Sequence, residues 1–183
     1  MSADREADQA LIQRCLLGQP LAMEQLVHRY HKLVFALCYR MVGNAHDAED
    51  LTQETFVRVF RHLHRWDSQR AFRPWLLAIA ANRCRSFLGQ RRHQVEFQPG
   101  EVEAPLRKPA GEENDLREEV ELGLHQLRAE HRQAFLLFYE QELSYAEIAE
   151  VMQCPVGTVK TWIHRARQEL IRFLTTRGTL QPG

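Results

Sequence analysis

The sequence has no excess charge of either sign: 24 Lys and Arg are balanced by 24 Asp and Glu. Taken as a whole-chain average, that argues against a nucleic-acid partner, which is held by a basic surface. No apolar run approaches the length of a membrane span, and the polar, acidic N-terminus has no apolar signal core. Membrane insertion is therefore not expected, and the cytoplasm is the expected location. Cys15, Cys38, Cys84 and Cys154 stand far apart, without a CxxC or a Cys/His pair at finger spacing. This disfavours structural zinc and suits small core thiols in a reducing compartment. Gly-rich phosphate loops, metal-ligand spacings and nucleophile motifs are also missing, so nothing points to an enzyme, a cofactor or a metal.

The neutral average hides strong segregation. Residues 61–92 hold eight Arg against Asp67 alone, a net of +7, whereas residues 47–54 hold four acids and no Lys or Arg. Residues 94–115 carry a net of −4 and contain Pro99, Gly100, Pro105, Pro109 and Gly111, which prevent regular structure and mark a linker. A chain of 183 residues accommodates one domain or two small ones. The linker favours two helical domains, over residues 8–93 and 116–174.

The most legible stretch is Ser144–Leu170. Ser144 and Glu147 form a capping box, and Tyr145, Ile148, Ala149 and Met152 fall on one helical face. The small Ala149 permits a close crossing, and Pro155 suits the entry to a second helix. There Val159, Ile163, Ala166 and Leu170 make the inward stripe. Thr158, Lys160, Thr161, Trp162, His164, Arg165 and Arg167 lie on other faces. Donors and cations on a helix of this width fit the DNA major groove; the alternative is an ordinary helical hairpin with a solvated basic face. Ahead of it, Leu116, Val120, Leu124 and Leu127 recur at helical spacing, and Ala134, Phe135, Leu137, Phe138 and Leu143 supply a cover.

In the first half a short helix over residues 8–17 ends at Gly18. Pro20 opens a longer helix, in which Leu26, Tyr30, Leu33, Val34, Leu37, Cys38 and Met41 recur up to Gly43. In the next helix Asp47, Glu49 and Asp50 occupy the first turn, where the helix dipole favours negative charge. Gln53 and Glu54 extend the polar face beyond what capping needs, while Leu51, Phe56, Val59, Phe60 and Leu63 form the core side. Residues 65–73 then lack helical period and read as a loop bearing Arg65, Trp66, Arg70, Phe72 and Arg73. Pro74 is expected to start a helix whose later turns carry Asn82, Arg83, Arg85, Ser86, Arg91 and Arg92. Cations beside aromatic rings suit single-stranded DNA, which offers phosphates and unpaired bases. Core packing is the competing reading for Trp66, Phe72 and Trp75, and the favoured one for Trp75.

Two segments resemble one family. LSYAEIAEVM with PVGTVKTWIHRARQEL is similar to region 4 of the extracytoplasmic-function sigma factors of bacterial RNA polymerase, and DAEDLTQETF is similar to their region 2. Gln153 stands where that family's turn usually has Gly, Trp162 where it has Arg, Ser86 where it often has Asp, and Arg128 where it has Pro. The resemblance implies an all-α protein of two small domains. Asp47, Glu49, Asp50, Gln53 and Glu54 would dock on a coiled coil of the polymerase's largest subunit. The Arg-rich loop and helix would melt the minus-ten element and capture a flipped base, and the second half would grip the minus-thirty-five element. The implied partners are core RNA polymerase, through that coiled coil and its flap region, promoter DNA, and an anti-sigma factor that clamps the two domains. The linker is expected either to thread the polymerase cleft or to act as a tether. The alternative function is a helix-turn-helix repressor or activator that binds duplex DNA without melting it.

Overall fold

A computed structural model of the chain describes the backbone of residues 2–97 and 112–179, and the side chains of residues 5–91 and 116–179. The described residues form eight α-helices and one 3-10 turn, without strands. In order these are α1 (Ser2–Leu16), α2 (Pro20–Val42), α3 (Ala45–His62), the turn Leu63–Arg65, α4 (Phe72–Phe97), α5 (Glu112–Gln126), α6 (Ala129–Tyr139), α7 (Tyr145–Met152) and α8 (Val156–Thr176).

In the first half α2, α3 and α4 pack on one another, with α1 laid along α2. Leu26, Val34, Leu37, Cys38 and Met41 of α2 are fully buried, so the periodic residues read from the sequence do make its core face. Tyr30 donates its hydroxyl hydrogen bond to Asp8 of α1 at 2.6 Å, which lets a nearly buried phenol and a nearly buried carboxylate satisfy each other. Gly43 ends α2 in the left-handed conformation (φ 77°), and its N–H closes on the Tyr39 carbonyl.

Two boundaries differ from the periodicity. Helix α1 begins several residues before residue 8, and α4 begins at Phe72, two residues before Pro74. A proline in the first turn of a helix loses no intrahelical bond, because the N–H it lacks would have had no partner there. Helix α4 also runs on to Phe97, and α5 starts at Glu112. Residues 98–111 of the linker lie outside the described residues.

The early start of α4 turns Phe72 inward. Its ring is only 2% exposed, meets Tyr30 edge-on at 5.4 Å, and is met by Trp66 at 5.7 Å and 90°. Trp66 is itself 9% exposed, while Trp75 is half-buried beside Phe72 at 5.6 Å. The expectation that Phe72 offers a free face to an unpaired base is therefore corrected: enclosure by Tyr30, Trp66 and Trp75 makes it the centre of an aromatic core.

In the second half Ile148, Ala149, Val159, Ile163 and Ala166 close the contact between α7 and α8. The Ser144 capping box forms in both directions. Gln153 ends α7 at φ 53° and ψ 47°, the left-handed turn expected there, and the Cys154 N–H reaches the Ala149 carbonyl at 3.0 Å. Helix α5 crosses α8 at Gly123, where a β-carbon would stand 2.5 Å from Leu170 and 2.9 Å from Phe173.

The two halves touch. Helix α2 lies against α5 and α6, and α4 against α6 and α7. Sequence periodicity gives no sign of this contact.

Two stability predictions follow from this packing. Gln153→Gly removes a β-carbon from a left-handed residue and should raise stability by about 0.5–1 kcal/mol, read as a higher midpoint of thermal unfolding. Phe72→Ala should lower stability by about 3–4 kcal/mol in urea unfolding, the scale of emptying an aromatic site in a core; an unchanged midpoint would return the ring to the surface.

Candidate nucleic-acid interface

The acidic face of α3 is built first by its cap. Asn44 accepts the Asp47 N–H at 3.0 Å and fixes the helix start. Ala48, Leu51, Thr52, Thr55 and Phe56 are buried on one side, and the hydroxyls of Thr52 and Thr55 donate to the carbonyls four residues back at 2.7 Å. The acids project from the other side, but they are not equivalent. Among the described residues Asp50 pairs with His46, in an exposed contact at 3.3 Å, and Gln53 is exposed. Glu49 faces His31 of α2 at 3.4 Å. Asp47 holds Arg91 at 3.3 Å, and Glu54 holds Arg83, both Arg residues belonging to α4.

These last two pairs join residues that sequence reading assigned to different surfaces. Arg83 has only 16% of its side chain exposed, in contact with Glu54, so its first task is to fasten α4 to α3. Arg91 has 40% of its side chain exposed and retains an outward component. The side chain of Arg92 lies outside the described residues.

The loop between the 3-10 turn and α4 is folded locally. Asp67 accepts the N–H of Gln69 on its side chain at 2.8 Å and the N–H of Arg70 on its carbonyl at 2.9 Å. Helix α1 pins it from outside: Gln9 donates to the Ser68 carbonyl at 2.5 Å, and Arg5 donates to the Gln69 carbonyl. Neither Arg5 nor Gln9 was recognisable from sequence, because a lone polar residue near a terminus carries no periodic or motif signal.

Arg65 and Arg70 are exposed, Arg73, Asn82 and Arg85 half-buried, and Ser86 exposed. Asn82 accepts from Arg85 at 2.6 Å on its side chain and from the Ser86 hydroxyl at 2.9 Å on its carbonyl. Arg70 is drawn to Glu150 of α7, and Arg73 donates to Gln141 at 3.3 Å. A cavity of about 280 Å³ lies here, lined by Trp66, Arg70 and Trp75 on one side and Glu147 and Glu150 on the other. At the end of α3 the potential is positive: partial burial, then the cations Arg65, Arg61, His64 and Arg58, hold the His62 imidazole below its ordinary range.

On α8 the inward stripe of Val159, Ile163, Ala166 and Leu170 is buried. Lys160, Thr161, His164, Arg165 and Arg167 are exposed, and Thr158 is half-buried. The Lys160 ammonium stands 5.6 Å over the Tyr145 ring of α7, and Thr161 donates back to the Gly157 carbonyl at 2.9 Å. Trp162 is half-buried and packs against the hydrophobic core. Its indole thus leaves the outward row of polar side chains uninterrupted on either side.

The molecule therefore presents an acidic helical face, a basic loop and helix pinned beside it, and a second basic helix on a helix-turn-helix frame. Known proteins resemble the chain in sequence and fold. The family model for sigma-70 region 2 matches residues 26–94, and that for sigma-70 region 4 matches residues 117–170. The RNA polymerase sigma-H factor of Pseudomonas aeruginosa is 34% identical, over 93% of this chain and 95% of its own. The ECF RNA polymerase sigma factor SigW of Bacillus subtilis is 32% identical, over 86% of this chain and 91% of its own. Among solved structures, CnrH in complex with the cytosolic domain of CnrY superposes with a TM-score of 0.68 at 27% identity, covering 93% of this chain and 98% of that one. The sigma factor RpoE of Bartonella quintana, solved with the anti-sigma factor NepR, shares the fold with a TM-score of 0.73 at 24% identity, covering 83% of this chain and 96% of that one. With both regions matched in order and relatives similar along nearly their full length, the chain belongs to the extracytoplasmic-function sigma factors of RNA polymerase.

Proposed function

We infer that this chain binds core RNA polymerase and directs it to start transcription at particular promoters, with each half contributing one DNA contact. The observation that carries the reading is the outward row on α8, where Lys160, Thr161, His164, Arg165 and Arg167 are exposed while the opposite stripe is closed against α7. Such a row can enter the major groove of the minus-thirty-five element, its early residues meeting base edges and its cations meeting phosphates.

The first half supplies the second contact. Arg65, Arg70, Arg73, Arg85 and Arg91 are the groups left to meet the minus-ten strand, with Asn82 and Ser86 as neutral donors. Trp66 and Arg83 support that surface from behind, by core packing and by the pair with Glu54. Asp50 and Gln53 form the most accessible part of the polymerase-docking face, flanked by Asp47, Glu49 and Glu54. Tethering both halves to one polymerase makes the second DNA contact intramolecular, which raises its effective concentration. Bond formation then belongs to the polymerase, and the chain acts by binding alone. An anti-sigma factor is a fitting regulator, because the solved RpoE of Bartonella quintana holds one. Among the described residues no helix is long and apolar enough to cross a membrane, and a cytoplasmic site of action is part of this proposal.

Run-off transcription with purified core polymerase on genomic fragments tests the reading. New starts that share two upstream elements are expected; duplex footprints without new starts would favour the repressor or activator. Asp50→Lys, which reverses an exposed acid paired within its own helix, should weaken core binding at least tenfold with helicity intact; undiminished binding would remove Asp50 from the docking face. For Arg165→Ala, the slope of log affinity against log salt on duplex promoter DNA should fall by about 1. A slope equal to wild type would mean that Arg165 meets water instead of phosphate.

A further inference from the structure

Polar pairs cross the seam between the two halves. Arg40 of α2 reaches Glu140 at 3.3 Å and Glu121 at 4.0 Å, and Arg73 and Arg70 of the first half meet Gln141 and Glu150 of the second. At its centre the imidazole of His125, on α5, stands against the end of α2. A β-carbon on Gly43 would come 2.8 Å from the ring, so the absence of a side chain at Gly43 permits this approach. On its other side the ring meets Arg132 of α6, whose guanidinium is hydrogen-bonded to Nδ1 and which is 6% exposed.

That hydrogen bond fixes the state of the ring. A guanidinium has only donors, so Nδ1 must be the acceptor, and an imidazole nitrogen accepts only while it carries no proton. This bond joins α5 to α6 within the second half; what closure adds is the packing of the ring against Gly43 at the end of α2, with the Arg40 cation of that helix near, and there a neutral ring is favoured over a charged one. A second proton would place an N–H against the Arg132 guanidinium, with the Arg40 cation also near.

We propose that His125 is a proton-operated latch between the two halves, which holds them together when neutral and releases α2 from α5 and α6 when protonated. The charged groups around it are Arg40 from α2, Arg132 and Glu140 from α6, and Glu121 on its own helix; Cys84 of α4 lies near Arg132. The carboxylates of Glu121 and Glu140 are already engaged by Arg40. The partial negative charge at the end of α2 favours a cation, but by less than two full guanidinium charges oppose it.

The sign of the pH dependence follows. Burial, then Arg132 and Arg40, lowers the His125 pKa from 6.5 to about 4 in the closed form. Arg132 stays beside the ring in either arrangement, so opening relieves only the burial by α2 and the Arg40 charge; that part of the shift makes closure weaken as pH falls below about 6.5, because the open form binds the extra proton more readily. Glu140 acts in the other direction: burial raises its pKa from 4.5, so its protonation favours closure near the acid end. The release is accordingly concentrated between about pH 6.5 and 5.

Opening would free Arg70 and Arg73 from Glu150 and Gln141, and the use of those cations on DNA rests on the function proposed above. The latch itself is testable without DNA or polymerase. Small-angle scattering of the full chain should give a larger radius of gyration at pH 5.5 than at pH 7.5, with far-ultraviolet circular dichroism unchanged. The closed-to-open ratio should fall by up to about tenfold over that interval. His125→Asn keeps an acceptor for Arg132 and cannot gain charge, so it should stay compact at both pH values. His125→Arg carries a permanent cation and should be open at pH 7.5 with helicity intact, which decides the matter even where acid unfolds the wild type. A wild type that stays compact and helical at pH 5.5, an Asn variant that opens alongside it, or an Arg variant that stays closed would overturn the latch.

Discussion

The attachment of α4 to α3 is the constraint on which the rest of the first half depends. Two carboxylates of α3, Asp47 and Glu54, take two guanidinium groups of α4, Arg91 and Arg83, above a core that includes Leu51, Phe56, Leu77 and Cys84. Exposed pairs of this kind contribute roughly 0–1 kcal/mol each, so the apolar core supplies most of the cohesion. What the ion pairs supply is register. They set how far α4 slides along α3, and hence where the loop before α4 stands relative to the acidic face. One rigid body then carries the acidic face and the basic loop in a fixed relation.

Local chemistry was legible in the sequence wherever a few neighbouring residues determine it. The Ser144–Glu147 capping box and the inward stripe of α8 each follow from residues within one or two helical turns, and each is present; the left-handed Gln153 was signalled only by the family's glycine at that turn. Of the acids expected in the first turn of α3, Asp47 lies there, whereas Glu49 and Asp50 fall in the next turn because the helix starts at Ala45. Tertiary partners were not legible. Whether Phe72 faces solvent or core depends on Tyr30, 42 positions earlier in the chain. Whether Arg83 is free depends on Glu54, and the loop's pins, Arg5 and Gln9, come from a helix some sixty residues away. Composition marks such residues as polar or aromatic, but only packing assigns them a neighbour.

The contact between the halves illustrates the same limit on a larger scale. Each half has its own buried stripe, and each could have been read as complete. Yet Arg40, Arg70 and Arg73 find carboxylate or amide partners across the seam, and His125 fits against a glycine that ends a helix of the other half. Polar pairs of this kind hold a seam less firmly than apolar contact of equal area, because each group that leaves them is well hydrated.

The charge order along α3 has a consequence for how the molecule approaches anything. Acids stand near its beginning, Arg58 and Arg61 lie in its last turns, and His64 and Arg65 follow its end, so this part of a chain with no net charge is still an electric dipole. In the field of a polyanion such a body feels little net pull but a definite torque. It turns its cationic end forward before any atoms touch, and leaves the acidic end facing away. Added salt would dissolve that alignment within a Debye length of about 10 Å, costing the encounter its orientation before it costs the complex its contacts.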